Sequence, residues 1–414
     1  MDLQNIKLKE LPLAIIDGDR SSKYPKREEF QSEGVVFLNS TNIFDGRLDL
    51  SDANYITEEK YLSIKKGRVE PGDIVMTTRG SIGKVARIPK GFRGLINAQM
   101  LLIRADEKMF SGAFLFHWLR SEIGQTKLRN FSSGAAQPQI PIRDLQEIEV
   151  PIPSLIAQHR IASILSAYDD LIENNTRRIA ILEEMARRIY EEWFVRFRFP
   201  GHEQVKMVES ELGLIPEGWR LRAFDEVASF VNGYAFKPDD WGTSGLPIIK
   251  IKELKSGIQS DTPRYSNSLQ EKYHVRNGAL LFSWSADLDV YIWAGGEGWL
   301  NQHLFIVKAL HDSIPASWLF HALKASMPNF RSRSNGATMK HIKRSALSEV
   351  KVLLSTESLM NEFSITVQPM HDLVISLTQK NRNLRATRDL LLPKLISGEL
   401  DVSTLPEPEE AIAA

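Results

Sequence analysis

The feature that most constrains this chain is that its sequence is written twice. Leu145-Gln-Glu-Ile-Glu-Val150 matches Leu347-Ser-Glu-Val-Lys-Val352, Gly134-Ala135 matches Gly336-Ala337 and Ile140 matches Ile342, all at a separation of about 202 residues. Upstream, Ile96-Asn97-Ala98-Gln99-Met100 pairs with Leu300-Asn301-Gln302-His303-Leu304, and Gly72-Asp-Ile-Val75 with Gly278-Ala-Leu-Leu281, at slightly larger offsets. Such drift is what unequal loops produce between two copies of one fold, and a repeat of this kind fixes the architecture before any motif does. In a chain of 414 residues each copy is long enough to bury its own core.

Each copy ends in a long amphipathic stretch. From Ile161 the seam positions alternate spacings of four and three: Ile161, Leu165, Tyr168, Ile172, Asn175, Ile179, Leu182, Ala186, Ile189 and Trp193. Moved on by one repeat, the seam reads Phe363, Val367, Met370, Val374, Leu377, Asn381, Leu384, Arg388, Leu391 and Leu395, interrupted by Pro369 and Pro393. One such stripe is an ordinary core helix. Two of equal length at the repeat offset favour pairing with each other as a coiled coil. The chain leaving the first helix returns, through the second copy, to the start of the second helix, which makes the pair antiparallel. At about 1.5 Å per residue the seam is a rod of roughly 50 Å. Asn175 and Asn381 are candidates for fixing register, although an antiparallel pair need not bring them together. Arg388, at a seam position, reads as facing a partner subunit.

The fold class is therefore α+β: two mixed α/β domains related by a pseudo-two-fold axis and separated by an antiparallel pair of long coiled-coil helices. The first domain covers 1–153, a central spacer helix 154–200, the second domain 201–355, a C-terminal spacer helix 356–402 and a flexible acidic tail 403–414. Short β-runs such as Gly34-Val-Val-Phe-Leu38, Asp73-Ile-Val-Met-Thr77 and Ala98-Gln-Met-Leu-Leu-Ile103 lie between Gly, Pro and Asn turns. One helix is expected near Gly112 to Asn130. Pro200-Gly201 should end the first long helix and Gly398 cap the second.

Composition narrows the function. Without cysteine there are no disulfides, thiolate metal sites or cysteine nucleophiles. Lys and Arg number 52 against 52 Asp and Glu, so nucleic-acid binding has to be argued from local features. The start of the chain alternates charged and apolar residues, and no stretch approaches the roughly 18 apolar residues of a membrane span. A cytoplasmic location away from membranes is expected. No Asn-Pro-Pro-Phe/Tyr or Asp-Pro-Pro-Tyr motif for adenine methylation, no HExxH and no Walker A is present, and the nine His lack metal-ligand spacing. No catalytic residue, metal site or chain-bound cofactor is expected.

Two divergent domains, each followed by a long helix, resemble the specificity subunit of type I restriction–modification systems, and the residues agree. Gly72-Asp-Ile-Val-Met-Thr-Thr-Arg-Gly80-Ser-Ile-Gly83-Lys84 is similar to the strand-and-loop motif of a target recognition domain in that family. Ser133-Gly-Ala-Ala-Gln-Pro-Gln-Ile140 with Val150-Pro-Ile-Pro-Ser-Leu-Ile-Ala-Gln-His-Arg-Ile161 is similar to its junction into the first spacer helix. Leu390-Leu-Leu-Pro-Lys-Leu-Ile-Ser-Gly-Glu-Leu-Asp401 resembles its ending, and Asn301-Gln-His-Leu-Phe305 a segment of its recognition domains. The resemblance implies a non-catalytic DNA-recognition subunit that reads an asymmetric bipartite site in double-stranded DNA, one half-site per domain, with the gap set by the helices. It also implies two methyltransferase subunits and restriction/motor subunits as partners, which would carry S-adenosylmethionine, ATP and Mg2+.

Base edges are read mainly by Arg, Lys, Asn and Gln, while hydroxyls and backbone amides mostly hold phosphate. In the first domain the candidates are Thr77, Thr78, Arg79, Ser81 and Lys84, then Asn97 and Gln99, and Gln137 with Gln139 beside it. The Gly83-Lys84 pair is not a P-loop, since the residue five before Gly83 is Thr78 and Val85 follows the Lys. The alternative for this loop is an ordinary polar hairpin, and for Asn97 a turn. In the second domain Ser283 and Ser285 flank Trp284 where Thr77-Thr78-Arg79 stood, so this loop has lost its Arg. Asn301, Gln302 and His303 form a polar triplet, with His303 equally a buried core group. Arg331, Arg333, Lys340, Lys343 and Arg344 form the clearest basic run, or a solvated face. Trp284, Tyr291, Trp293 and Trp299 read as core. Two competing functions remain: a coiled-coil scaffold joining two protein-binding domains without DNA, and a self-contained nuclease.

Overall fold

The computed structural model describes residues 3–131, 139–211, 213–335 and 341–405. Gln137, Lys340 and residues 406–414 of the expected acidic tail lie outside them. The chain forms two compact units, Met1–Leu171 with Leu384–Ala414, and Ile172–Asn383. Both divisions fall inside the long helices, so each unit holds one mixed domain and a stretch of each helix.

The first unit is built on a four-stranded antiparallel sheet in the order Leu13–Asp17, Met100–Ala105, Ile74–Thr77, Val85–Arg87. Its central strands are apolar on both faces because both faces are covered. Ile74, Met76, Leu101 and Ile103 pack with Phe114, Leu115 and Trp118 of the helix Gly112–Arg120 and with Ile161 and Leu165. Val75, Met100 and Leu102 turn the other way, onto Val36, Leu38 and Ile96. That second layer is a three-stranded sheet in which Val35–Leu38 runs antiparallel to Asn54–Ile56 and parallel to Gly94–Ile96. Gln4–Lys7 pairs with Glu149–Ile152, just before the first long helix.

The single helix expected from Gly112 to Asn130 is two, Gly112–Arg120 and Glu122–Asn130. Ser121 breaks it by taking an extended conformation; its hydroxyl accepts from the Gly124 amide at 3.0 Å and donates to the Trp118 carbonyl at 2.7 Å. The serine thus starts a new helix instead of continuing the old one.

The second unit repeats this topology. Its sheet runs Ala228–Asn232, Leu304–Ala309, Leu280–Ser283, Asp289–Ile292, with a parallel pair Leu246–Ile249 and Gly298–Leu300 beside it. Arg220–Ala223 with Lys351–Leu354 is the counterpart of the terminal pair in the first unit. The copies differ locally: a hairpin of Ile43–Phe44 with Arg47–Leu48 in the first corresponds to a helix Ile251–Ser256 in the second, and a single helix Ala316–Ser332 replaces the broken pair.

The long helices are Leu155–Tyr190 and Glu357–Ile396. Every seam position from Ile161 to Trp193 and from Phe363 to Leu395 is buried or half-buried. The two run antiparallel in each unit. In the second, Asn175 lies opposite Asn381 while Tyr190, Trp193 and Phe194 pack on Phe363; in the first, Asp169 meets Arg388 while Ile161 and Leu165 share a core with Leu395 and Ile396. The first helix ends sooner than Pro200-Gly201 suggests. It widens into a π-helical turn over Glu191–Val195, where Trp193 and Phe194 join a cluster with Phe199 and Trp219, and Phe197 then takes a positive φ of 58°. The second helix passes through Pro369 and Pro393 without interruption. Both prolines are exposed, and so are Ile365 and Asp389 four residues earlier, so the carbonyls that lose a partner face water.

The seam settles one question left open and corrects one expectation. Asn175 donates to the Asn381 side-chain oxygen at 2.9 Å, and Asn381 donates to Thr176 Oγ1 at 3.2 Å and to the Ile172 carbonyl at 3.3 Å. The asparagines therefore meet, because they fall opposite one another in this register. Arg388 turns inward and pairs with Asp169 at 2.5 Å, where Arg120 also arrives at 2.7 Å and Arg47 holds the Asp169 carbonyl. Burial pushes the Asp169 carboxyl up, but Arg120 and Arg388 outweigh it and hold it below the usual range.

In the second unit His321 and His371 face each other, Nε2 to Nε2, at 3.0 Å under the Tyr190 ring. Burial pushes the two imidazoles down, to about 3 and about 4 respectively. A depressed folded pKa means that the neutral rings stabilise the fold fully above the ordinary value near 6.5, and that this stability is lost as pH falls toward the folded values. The unfolding free energy from urea titrations should therefore fall from pH 7.5 to pH 5.0 by about 2 kcal/mol per imidazole. The fall should shrink in the double variant His321→Gln, His371→Gln; an equal fall in both proteins would refute the assignment.

Candidate nucleic-acid interface

The polar loops of the first unit converge because the strands that carry them end together. In register Met100 sits opposite Thr77, so the chain leaving Ile74–Thr77 and the chain entering Met100–Ala105 meet at one sheet end. The Thr78 amide donates to the Gln99 carbonyl at 2.9 Å and the Ile140 amide to the Thr78 carbonyl at 2.9 Å, while Arg79 bridges to Gln139. Backbone pairing thus lines up four side chains, Thr78, Arg79, Gln99 and Gln139, with the Arg79 guanidinium donating to Gln139 Oε1 at 3.0 Å. Gln99 and Gln139 are exposed and the other two half-buried. Arg and Gln at a rim are groups that read acceptors and donors on base edges.

Several residues expected to touch a ligand are spent in building this edge. Thr77 is fully buried; its hydroxyl donates to the Ser81 carbonyl and accepts from the Lys84 amide at 3.0 Å, closing the loop that Gly80 and Gly83 turn at φ 75° and 78°. Asn97 is buried, and its side chain accepts from the Gln99 amide at 3.0 Å, the turn foreseen as its alternative. Ser81 and Lys84 remain exposed on the loop. Gly18 makes the turn possible from the other side, since a Cβ there would lie 2.3 Å from the Asn97 carbonyl oxygen.

The second unit builds the same edge from different side chains. Asn301 is buried and accepts from the His303 amide at 3.3 Å, as Asn97 does from Gln99, and Gly233 leaves 2.2 Å for a Cβ before the Asn301 oxygen. The Ile342 amide donates to the Trp284 carbonyl at 2.9 Å, and Ser285 bridges to His341. Trp284, Ser285, His303 and His341 therefore occupy the places of Thr78, Arg79, Gln99 and Gln139. Ser283 and Ser285 are buried, so their hydroxyls face the protein interior. Gln302 and His303 are half-buried. Trp293 and Trp299 are core as expected, and Tyr291 is half-buried, but Trp284 is half-buried at this edge, stacked on Phe305 with 5.8 Å between ring centroids. Trp284, read as core, and His341, not considered, are the members of the edge that sequence reasoning set aside or missed. The repeat offset, which carries Gln139 onto His341, held the signal.

The basic run is partly structural. Arg331 donates twice to the Leu288 carbonyl, at 3.0 and 3.3 Å, and Arg333 caps its own helix through the Asn329 carbonyl at 3.1 Å while lying 3.5 Å from Glu349. Lys343 and Arg344 are exposed. Among the described residues no group of His, Asp and Glu is placed to hold a metal ion, and no helix is long and apolar enough to cross a membrane.

A duplicated α/β domain that presents a polar sheet-end edge, differently furnished in each copy and joined through paired long helices, defines a protein with two tandem recognition domains. Known proteins agree. The family described as the type I restriction modification DNA specificity domain matches residues 2–184 and again residues 216–355. The chain belongs to that family and is a specificity subunit of a type I restriction–modification system. It is similar to the MjaIX specificity subunit of Methanocaldococcus jannaschii, 24% identical over 356 residues, which cover 81% of this chain and 79% of the relative. It is also similar to the HindI specificity subunit of Haemophilus influenzae, 21% identical, covering 92% and 98% of the two chains. Among solved structures the S subunit of a type I restriction–modification system from M. genitalium shares the fold, with a TM-score of 0.61 at 17% identity over 95% of this chain and 96% of that one.

The division between building and presenting residues is testable by stability. Thr77→Val should cost about 1–3 kcal/mol in urea unfolding, because it removes the buried hydroxyl that accepts from the Lys84 amide and donates to the Ser81 carbonyl, two hydrogen bonds of about 0.5–1.5 kcal/mol each. Gln99→Ala should stay within about 0.5 kcal/mol of the native chain. Equal losses would mean that the edge side chains carry the fold.

Proposed function

We propose that each unit reads one half of an asymmetric bipartite site in double-stranded DNA and that the two long helices set the unread gap. The observation that carries this reading is the edge built twice on matching backbone pairs, Ile140 to Thr78 and Arg79 to Gln139 in one copy and Ile342 to Trp284 and Ser285 to His341 in the other, with Gln99 and His303 each following a buried asparagine that caps its amide. Different donors and acceptors on the same frame select different bases, so the two half-sites differ. The chain acts without catalytic groups of its own. Two methyltransferase subunits and the restriction/motor subunits would supply the chemistry in the cytoplasm, with S-adenosylmethionine, ATP and Mg2+ bound on those partners. The recognition segments are close to neutral, with 22 Lys and Arg against 20 Asp and Glu in 1–153 and 18 against 16 in 201–355. Partner subunits would therefore hold most of the phosphates while this chain discriminates sequence.

Methylome sequencing of cells carrying this subunit with its methyltransferase should reveal a split, asymmetric adenine-methylation motif that disappears when the gene is deleted. Binding of a duplex bearing that motif should weaken steeply with salt. Methylation unchanged by the deletion would overturn the reading. The helices make a separate prediction. One added heptad in each contributes about 10.5 Å of rise, which is about 3 base pairs at roughly 3.4 Å each, and should lengthen the gap by that amount. An active complex with unchanged spacing would refute the spacer role.

A further inference from the structure

We infer that the second unit reads its half-site with imidazoles: His303 and His341, both set against Trp284, contact base edges directly. The inference rests on the bipartite reading above and deepens it. Each ring lies with its centroid 5.9 Å from that of Trp284. Trp284 is itself fixed, stacked on Phe305 and donating its indole N–H to Asn232 Oδ1 at 3.3 Å. The tryptophan is thus a wall that orients the two histidines.

Neither imidazole makes a hydrogen bond to another described residue, and the Nδ1 atoms of both are buried without a partner. The orphaned Nδ1 atoms are sealed from outside partners, so each half-buried ring can offer a ligand only its other nitrogen, Nε2. Backbone contacts hold the residues in place: the His303 amide is capped by Asn301, and Ser285 bridges to His341. A neutral imidazole offers one donor and one acceptor. Through Nε2 each ring makes a single bond that suits a purine edge, donating to N7 or accepting from the adenine N6 amino group according to tautomer. In the first unit the same two places hold Gln99 and Gln139, which bring an amide to the same task. The exchange His303→Gln with His341→Gln therefore installs the furniture of the first unit on the backbone of the second.

The experiment uses the full chain in complex with its methyltransferase partner and a duplex library randomised in both half-sites, scored by methylation and sequencing. In His303→Gln, His341→Gln and the double variant, discrimination at one or two positions of one half-site should fall about 5- to 150-fold, or shift to another base, while the other half-site keeps its preference. The reciprocal variant Gln99→His with Gln139→His should disturb the opposite half-site, which assigns each half to its unit. The slope of log affinity against log salt should not change in the histidine variants, because base contacts release no counterions. Unchanged preference in both halves overturns the inference, leaving the bipartite reading intact. Loss of both halves together, as a folding defect would give, also overturns it. A native complex without any split preference overturns the bipartite reading and this inference with it.

Discussion

The register of the long helices rests on a few polar contacts in an apolar seam. An antiparallel pair with only leucines and isoleucines at its contact positions could slide by a heptad at little cost. Asn381 forbids this, because in a slipped register its amide would lose Asn175, Thr176 and the Ile172 carbonyl together and be buried without partners. In the first unit Asp169 does the same with charge. Its carboxylate balances Arg120 and Arg388, and removing it would leave two guanidinium groups facing each other in a largely dry site. In the first unit the same carboxylate residue also ties the recognition domain to the helices, through Arg47 and Arg120, so the position of that edge on its scaffold depends on it.

The edges themselves separate two duties. Main-chain hydrogen bonds between the loop after the central strand, the turn before the next strand and the segment ending at Ile140 or Ile342 build the frame. A buried asparagine and a closely approached glycine, Asn97 with Gly18 and Asn301 with Gly233, complete it in both copies. The frame is indifferent to what the remaining positions carry, so threonine can give way to tryptophan and glutamine to histidine without altering the topology.

Much of this was legible in the sequence, and for a physical reason. Periodicity and repetition are properties of many residues at once, so the two copies, the central strands and the antiparallel seam could be read directly. Single side chains could not. Thr77, Ser283 and Ser285 have the chemistry of ligand-binding hydroxyls, but strand register turns them inward, and register is a tertiary fact. Arg388 looked outward because an unpaired arginine in a seam is costly, and its partner Asp169 lies 219 residues away. Ser121 splits a helix that composition alone would continue. His341 escaped notice because it becomes interesting only once Trp284 and His303 are seen beside it.

The separation of frame from furniture bears on how such a protein can change over generations. Most positions that contact a ligand also stabilise the fold around them, so altering the ligand usually passes through weakened intermediates. Here most edge positions hang from hydrogen bonds made by their backbones, while the buried Ser285 and the stacked Trp284 also pack into the fold. A lineage can therefore exchange the exposed side chains one at a time while remaining folded. New preferences are open to such a chain by ordinary point mutation.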